Sequence, residues 1–373
     1  MSFSKDKIPF RRRVALTAFL TLIGSCQIPS KVAMDGIGGR TAYNVTVQES
    51  NSEQMLLNLV RLRYSDIPFF LDVTSITTQS TFRSELSPTF PIPGFTQDNP
   101  ATIGTGVMWQ DQPTLTYTPL EGSAFAARML RPIELQTIQL LTYSGWDVDR
   151  IFRMLIQNFE GILNAPETSD LPDKYSEYAR FMEFTSLLRA FQRKGELQLG
   201  VNVKKAGGEG HPSEETLQIA FPMENNEGKQ LAEIMRCREA IGGRCRREVD
   251  FGFNARGKIG VMTRSILSCM YYLSHGVQVP QEHIDSGMVK APVCPDGVDS
   301  EEWQKMFCQL IHVCWSRFPP KDPYVAVKYQ DYWYYIEECD RQSKKTFALL
   351  MQLYNLNAIV PTNRGPILTL PLR

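Results

Sequence analysis

Ser343 and Lys344 are residue types that can carry out hydrolysis, with the lysine taking the proton of a serine nucleophile. Adjacent residues near the start of a helix face different directions, so the pair is poorly placed for that transfer. Capping of a helix N-terminus by Asp340 or Ser343 is the preferred interpretation. We therefore assign no catalytic residue to this segment.

Acid–base chemistry needs two carboxylates at a defined separation. Two acidic pairs occur in the sequence, and nothing in their spacing singles either one out: Asp147 with Asp149, and Glu337 with Glu338. The chain after residue 26 also lacks the nucleophile elbow, the phosphate-binding loop and the dinucleotide-binding glycine motif. The sequence leaves enzymatic activity undecided and favours a protein that is not an enzyme.

The cysteines and histidines are poorly spaced for binding a metal. Cys308 and Cys314 would lie about 20 Å apart on a strand, at ~3.3 Å per residue, which is too far for one ion. On a helix, His312 would face Cys308 while Cys314 would point away. His275 and His283 flank a proline-containing loop, where a metal role is the weaker alternative. We expect no metal site, no cofactor, and buried free thiols that act as small apolar side chains.

Disulfide bonds are expected if the chain is exported. An odd number of cysteines follows residue 26, so they cannot all pair within the chain: Cys237, Cys245, Cys269, Cys294, Cys308, Cys314 and Cys339. The best-placed local pair is Cys237 with Cys245, because Gly242 and Gly243 between them allow a tight turn.

Polar side chains interrupt an otherwise apolar helix predicted for residues 51–64. Asn58, Arg61 and Arg63 lie among leucines, and a buried charge without a partner is strongly unfavourable. An internal salt bridge or hydrogen-bond network is the preferred interpretation. The functional alternative is recognition of a carboxylate or phosphate group by these three side chains.

The first 26 residues contain a basic segment, an apolar run and a cysteine. Residues 1–13 are basic, residues 14–23 are uncharged and mostly apolar, and Gly24 and Ser25 precede Cys26. This three-part pattern is typical of a secretory signal. The apolar run is too short to cross a bilayer core, which needs ~20 helical residues.

The same segment resembles the signal peptides of bacterial lipoproteins, in which a lipobox ends in two small residues and a cysteine. The resemblance implies cleavage between Ser25 and Cys26, with residues 1–25 removed, and lipid (diacylglycerol, palmitate) attached to Cys26. Gln27 stands where inner-membrane retention signals have aspartate, which implies the outer membrane facing the periplasm, with the cell surface as an alternative. Several acyl chains anchor a protein firmly. An ordinary signal peptide or an uncleaved anchor is the other interpretation.

Charge argues against binding to nucleic acid. The whole sequence has 40 basic and 40 acidic residues; residues 1–25 hold five basic and one acidic, which leaves 35 and 39 in the remainder. A nucleic-acid binder needs a basic face. One local basic cluster remains, and a solvated face is its preferred explanation: Arg236, Arg238, Arg244, Arg246 and Arg247.

Helical and strand-like patterns alternate irregularly, which predicts an α+β fold. We expect a signal peptide (1–25), a tether (26–48), a mainly helical domain with a β-hairpin (49–193) and a mixed sheet-and-helix domain (194–373). The expected helices are 51–64, 123–130, 132–143, 148–163, 174–193, 227–239, 261–275 and 341–356. The expected strands are 69–82, 105–110, 113–118, 196–203, 216–221, 248–253, 307–315, 324–329, 332–336 and 367–370.

Two stretches resemble a family of uncharacterised bacterial lipoproteins. The first is Ala42-Tyr43-Asn44 with Glu53 to Tyr64, and the second is Tyr332 to Ile336 with Asp340, Ser343-Lys344, Thr346-Phe347, Leu349-Leu350 and Leu368 to Pro371. The resemblance runs along most of the chain after Cys26. It implies location and a common fold, and it brings no known activity.

These observations favour a lipid-anchored envelope protein that is a structural or accessory subunit of an envelope or export assembly. Its expected partners are the membrane, through the N-terminal lipid, and other envelope proteins. Two alternatives remain. A periplasm-facing hydrolase of cell wall or polysaccharide would show a deep pocket with two carboxylates about 5–10 Å apart. A ligand-binding lipoprotein would show a large apolar cleft.

Overall fold

A computed structural model describes residues 40–89, 102–164, 175–204, 214–238, 240–252, 257–290 and 309–357. The fold is α+β, as the irregular alternation of patterns predicted. Cys26, the signal segment and the predicted strand 367–370 lie outside the described residues. Within the described ranges, no helix has both the length and the apolar character needed to cross a membrane.

The chain divides into two compact units. Among the described residues, the first unit comprises 40–50 and 72–118. Strands β1 (Leu71–Thr89) and β2 (Thr102–Pro119) pair in a two-stranded sheet. The predicted hairpin across Asp111 and Gln112 is wrong, because β2 runs straight through these residues. Its partner is β1, a strand long enough to pair with it as a whole.

Helix α1 spans Arg40–Arg63, so it begins well before the predicted residue 51. Residues 40–48, which were predicted to be tether, are helical. The later part of α1 is buried on several sides, as its leucine-rich sequence predicted: Met55, Leu56, Leu59, Val60 and Leu62.

The second unit comprises described residues 51–71 and 119–357 and contains a six-stranded mixed sheet. The strand order is β4-β3-β8-β7-β6-β5, with β7 and β8 parallel and the other neighbours antiparallel. The strands are β3 (Ile156–Phe159), β4 (Ile162–Leu163), β5 (Gln198–Lys204), β6 (Glu214–Pro222), β7 (Arg244–Phe251) and β8 (Ile259–Thr263).

Helices cover this sheet and form the rest of the unit. They are α2 (Ser123–Leu130), α3 (Leu135–Tyr143), α4 (Val148–Leu155), α5 (Tyr175–Arg193), α6 (Asn226–Ile234), α7 (Ile266–Ser274), α8 (Gln281–Asp285) and α9 (Arg341–Asn357). Helix α3 packs on β5 and β6, and α5 packs on α4, α6 and β4. Buried phenylalanine rings fill the interior; those of Phe159 and Phe184 stack at 4.4 Å.

Two predicted helices are wrong in part. The segment 148–163 is helical to Leu155 and then forms β3 and β4, and the segment 261–275 begins as strand β8 and becomes helix after Ser265. In the second case the Ser265 hydroxyl accepts from the backbone N–H of Ser268, which starts α7 at that point. Most of these residues are buried in both the helical and the strand parts, so an apolar pattern alone does not separate strand from helix.

The hairpin predicted near residue 330 is confirmed. Strands β10 (Pro323–Tyr329) and β11 (Tyr332–Glu337) are joined by Gln330 and Asp331, both with positive φ (46° and 66°). Such a two-residue turn suits the twist of a hairpin. A third strand, β9 (Cys314–Ser316), pairs with β11.

The domain boundary predicted between residues 193 and 194 does not separate two bodies. Strands β3 and β4 precede it, yet β3 pairs with β8, which follows it. One hydrophobic core therefore includes side chains from both sides of residue 193.

Candidate functional site

Asn58 is buried and binds the backbone of the segment that follows α1. Its side chain donates to the Phe69 carbonyl at 2.8 Å and accepts from the Phe69 N–H at 2.9 Å. Gln54 forms the same pair of bonds with Leu71. The oxygen and the nitrogen of the Asn58 side-chain amide are thus both engaged with Phe69, and the side chain is fully buried, so it is not presented to a ligand.

Arg61 and Arg63 do not converge with Asn58. Arg63 donates to the Lys290 carbonyl at 3.2 Å, and burial lowers the pKa of its guanidinium. Arg61 is half-buried and lies near the Tyr329 hydroxyl. Residues two apart on a helix point in different directions, so the proposed recognition trio is not brought together.

A cluster of hydroxyl and imidazole groups lies at the end of α1, and sequence reasoning missed it. The Tyr64 hydroxyl bonds His283 Nδ1 at 2.6 Å and also bonds the Tyr334 hydroxyl. Desolvation raises the pKa of both tyrosines, so both hydroxyls stay protonated at neutral pH. Tyr332 and Tyr334 are buried and Trp333 and Tyr335 are half-buried, as expected for alternating faces of a strand.

The other candidate groups make structural contacts. Ser343 is fully buried; its N–H and hydroxyl both donate to Asp340, which caps α9, and its Oγ accepts from the His312 N–H. Lys344 pairs with Glu338 instead of Ser343. Asp147 forms ion pairs with Arg189 and Lys345, and Asp149 lies 3.9 Å from Arg189.

The structure joins Cys237 and Cys245 as a disulfide, the pair favoured by the sequence. Cys269 is buried and free, Cys314 is half-buried and Cys339 is exposed, whereas Cys294 and Cys308 lie outside the described residues. Across the described ranges, no three His, Cys, Asp or Glu side chains come close enough to hold a metal ion.

Four arginines of the predicted basic cluster line one open pocket of about 450 Å³. The lining residues are Arg236, Cys237, Arg238, Ile241, Arg246, Arg247 and Gly257. The fifth arginine, Arg244, turns away and donates to the Glu196 carbonyl. We call this feature the arginine pocket. The described residues that line it include four arginines and no carboxylate, so they match neither the hydrolase site nor the apolar cleft that the sequence left open.

The arginine pocket is built mainly by the loop between α6 and β7 and by the start of β7. The disulfide ties the residue after Arg236 to the residue before Arg246, and Gly242 and Gly243 adopt positive φ between them (63° and 73°). Arg236 donates to Glu160 at 2.9 Å, and Glu160 also accepts from the Gly260 N–H. The disulfide therefore links the two segments that carry the arginines, and Glu160 positions Arg236.

Comparisons with protein-family models, with curated proteins and with solved structures find no match to this chain, so its function has to be argued from its own residues.

Proposed function

We propose that the protein is a lipid-anchored cell-envelope protein and serves as a non-enzymatic accessory subunit of an envelope or export assembly. The basic segment, the apolar run and the lipobox-like Gly24-Ser25-Cys26 support the anchor. In this proposal the mature chain begins at Cys26 and lies on the periplasmic side of the outer membrane.

The disulfide between Cys237 and Cys245 is the structural observation that supports export. Disulfides persist in the periplasm and outside the cell and are rare in the reducing cytosol. A bond between two cysteines eight residues apart in a folded loop is what an oxidising compartment would produce.

The contacts of the candidate catalytic side chains support an accessory role. Ser343 is fully buried in the first turn of α9, and the carboxylates of Asp147 and Glu338 are engaged by cationic side chains. Groups held in this way stabilise the fold and are not aimed at a substrate.

Metabolic labelling with palmitate tests the anchor. The full chain should incorporate label, Cys26→Ala should abolish it, and Cys339→Ala, which removes an exposed thiol, should leave it intact. Equal labelling of the Cys26→Ala variant, or none in the parent chain, rules the anchor out.

Crosslinking in intact cells followed by mass spectrometry tests the accessory role. We expect reproducible crosslinks to other envelope proteins, and an altered envelope or reduced export when the gene is deleted. An intact envelope with unchanged export, together with crosslinks to lipid alone, would contradict this part of the proposal.

A further inference from the structure

The arginine pocket holds more positive charge than its surroundings neutralise. The side chain of Arg236 is paired with Glu160, whereas the side chains of Arg238, Arg246 and Arg247 form no hydrogen bond or ion pair with any other described residue. The Nε–H of Arg247 is buried as well, with no acceptor among those residues. A buried donor without an acceptor is unfavourable, and an anion in the pocket would remove that penalty.

The size and shape of the pocket fit a small molecule. Its volume of about 450 Å³ lies in the range of ligand sites, ~300–1,000 Å³. The guanidinium group presents a planar fork of donors that matches phosphate and carboxylate oxygens. Several arginines at one pocket favour a compact group with more than one negative charge, which adjacent phosphates supply better than single carboxylates.

We propose that the arginine pocket binds a ligand that carries adjacent phosphate groups, as in a diphosphate. Arg238, Arg246 and Arg247 bind its oxygens, and the Arg236–Glu160 pair fixes one side of the site. Ile241 lies at the rim with 74% of its surface exposed and would contact an apolar part of the ligand. This inference does not depend on the lipid anchor or on the accessory role.

Calorimetric titration of the full chain in detergent with inorganic diphosphate tests the proposal. We expect saturable binding that is tighter than binding of sulfate at equal ionic strength. Arg246→Gln and Arg247→Gln should each weaken binding about tenfold or more, since each removes a charged hydrogen bond. Arg341→Gln, at an exposed arginine outside the pocket, should change the affinity less than twofold, about the scale of ordinary surface substitutions.

Thermal unfolding of each variant separates loss of binding from loss of fold. Arg246 is exposed, so Arg246→Gln should unfold at the temperature of the parent chain. The proposal is overturned if diphosphate fails to bind, if sulfate binds equally well, or if a folded Arg246→Gln variant binds like the parent. It is also overturned if an oligoglutamate peptide binds more tightly than diphosphate, because the pocket would then recognise an acidic protein segment.

A short-chain, water-soluble isoprenyl diphosphate then distinguishes a lipid-linked diphosphate from a free one. If this lipid compound competes with diphosphate, and Ile241→Ser weakens its binding but not the binding of diphosphate, the ligand is a phosphorylated lipid headgroup. If Ile241→Ser leaves the affinities for the lipid compound and for diphosphate unchanged, the ligand is a free phosphorylated compound. Both results support the phosphate site itself.

Discussion

Arg264 carries a positive charge in the interior and is bound by main-chain oxygens. Its guanidinium donates to the carbonyls of Arg153, Met154 and Ile156, and to that of Asn164. The ring of Tyr272 lies 4.0 Å beneath it, and burial lowers the pKa of the arginine. The side chain therefore satisfies the carbonyls that α4 leaves open at its C-terminal end.

Arg264→Gln should lower the free energy of unfolding by about 3 kcal/mol or more, because four buried carbonyls each lose a charged donor. Urea denaturation followed by tryptophan fluorescence measures the change. Arg341→Gln, an exposed control, should have little effect. Equal stability of the two variants would show that water replaces the guanidinium without penalty.

Cys269 should be the least reactive of the described free thiols. Burial raises its pKa from 9.0 to about 12, so the folded state holds the thiol proton more tightly than the unfolded state does. Its contribution to stability is thus complete below pH 9 and is lost as the pH rises toward about 12. Native alkylation with iodoacetamide near pH 8.5, mapped by mass spectrometry, should label exposed Cys339 and spare Cys269. Equal labelling rates would contradict this burial.

The need for partners at Asn58 could be predicted from sequence, but the partners themselves could not. A side-chain amide buried among leucines needs hydrogen-bond partners. Here the partners are the carbonyl and the N–H of Phe69, which the chain reaches only after it has turned back along the helix. Likewise, Tyr64, His283 and Tyr334 meet only once α1, α8 and β11 have folded together. Local patterns carry no information about contacts of such long range.

At the level of elements, the end of α4 shows why a good helical pattern failed. Ile151, Leu155, Phe159 and Ile162 are spaced as on one face of a helix and all are buried, but the helix stops at Leu155. The last turn is closed by Arg264 and by the Asn164 amide, which donates to the carbonyl of Arg153 and to that of Ile156, the residue after the helix. The signal that ends the helix therefore lies in part about a hundred residues away.

Gly228 fixes the approach of α6 to the end of β6. A Cβ at this position would lie 2.3 Å from the Pro222 carbonyl oxygen, so Gly228→Ala requires the backbone to shift. We expect a loss of about 1–3 kcal/mol in the free energy of unfolding. Gly200→Ala in β5 is the matched control, because its Cβ would meet nothing closer than Gln218 Cβ at 3.9 Å. Similar urea midpoints for the two variants would show that α6 adjusts freely.

The disulfide should stabilise the loop between α6 and β7. Replacing both Cys237 and Cys245 by alanine should cost about 2–3 kcal/mol, the chain-entropy value for a short closed loop. Chemical denaturation under oxidising conditions measures this cost, and treating the parent chain with dithiothreitol should reproduce it. If the reduced parent is as stable as the oxidised one, the bridge does not restrain the unfolded chain.

For the whole molecule, composition and the irregular alternation of helical and strand-like patterns were sufficient to predict the α+β class. They did not predict how the chain divides into compact units. The change from helical to strand-like patterns near residue 195 suggested a domain boundary there, whereas strands β3 and β8 pair across it. Sequential patterning reveals elements and their approximate bounds; it does not reveal which strands become neighbours. The arginine pocket illustrates the same limit, because its arginines were visible as a cluster but their arrangement around one cavity was not.

The second unit should fold without residues 72–118. The chain leaves and re-enters this unit at adjacent points, since the Leu120 N–H donates to the Phe70 carbonyl at 2.9 Å. Joining Leu71 to Pro119 through an Asn-Gly turn should preserve that contact and shorten the loop that must close on folding. We expect a cooperative urea transition, followed by the fluorescence of Trp146 and Trp333, with a midpoint at or above that of the parent chain. Removing β7, an interior strand of the six-stranded sheet, should abolish the transition. If the shortened chain lacks cooperative unfolding while the parent retains it, residues 72–118 are required for the second unit to fold.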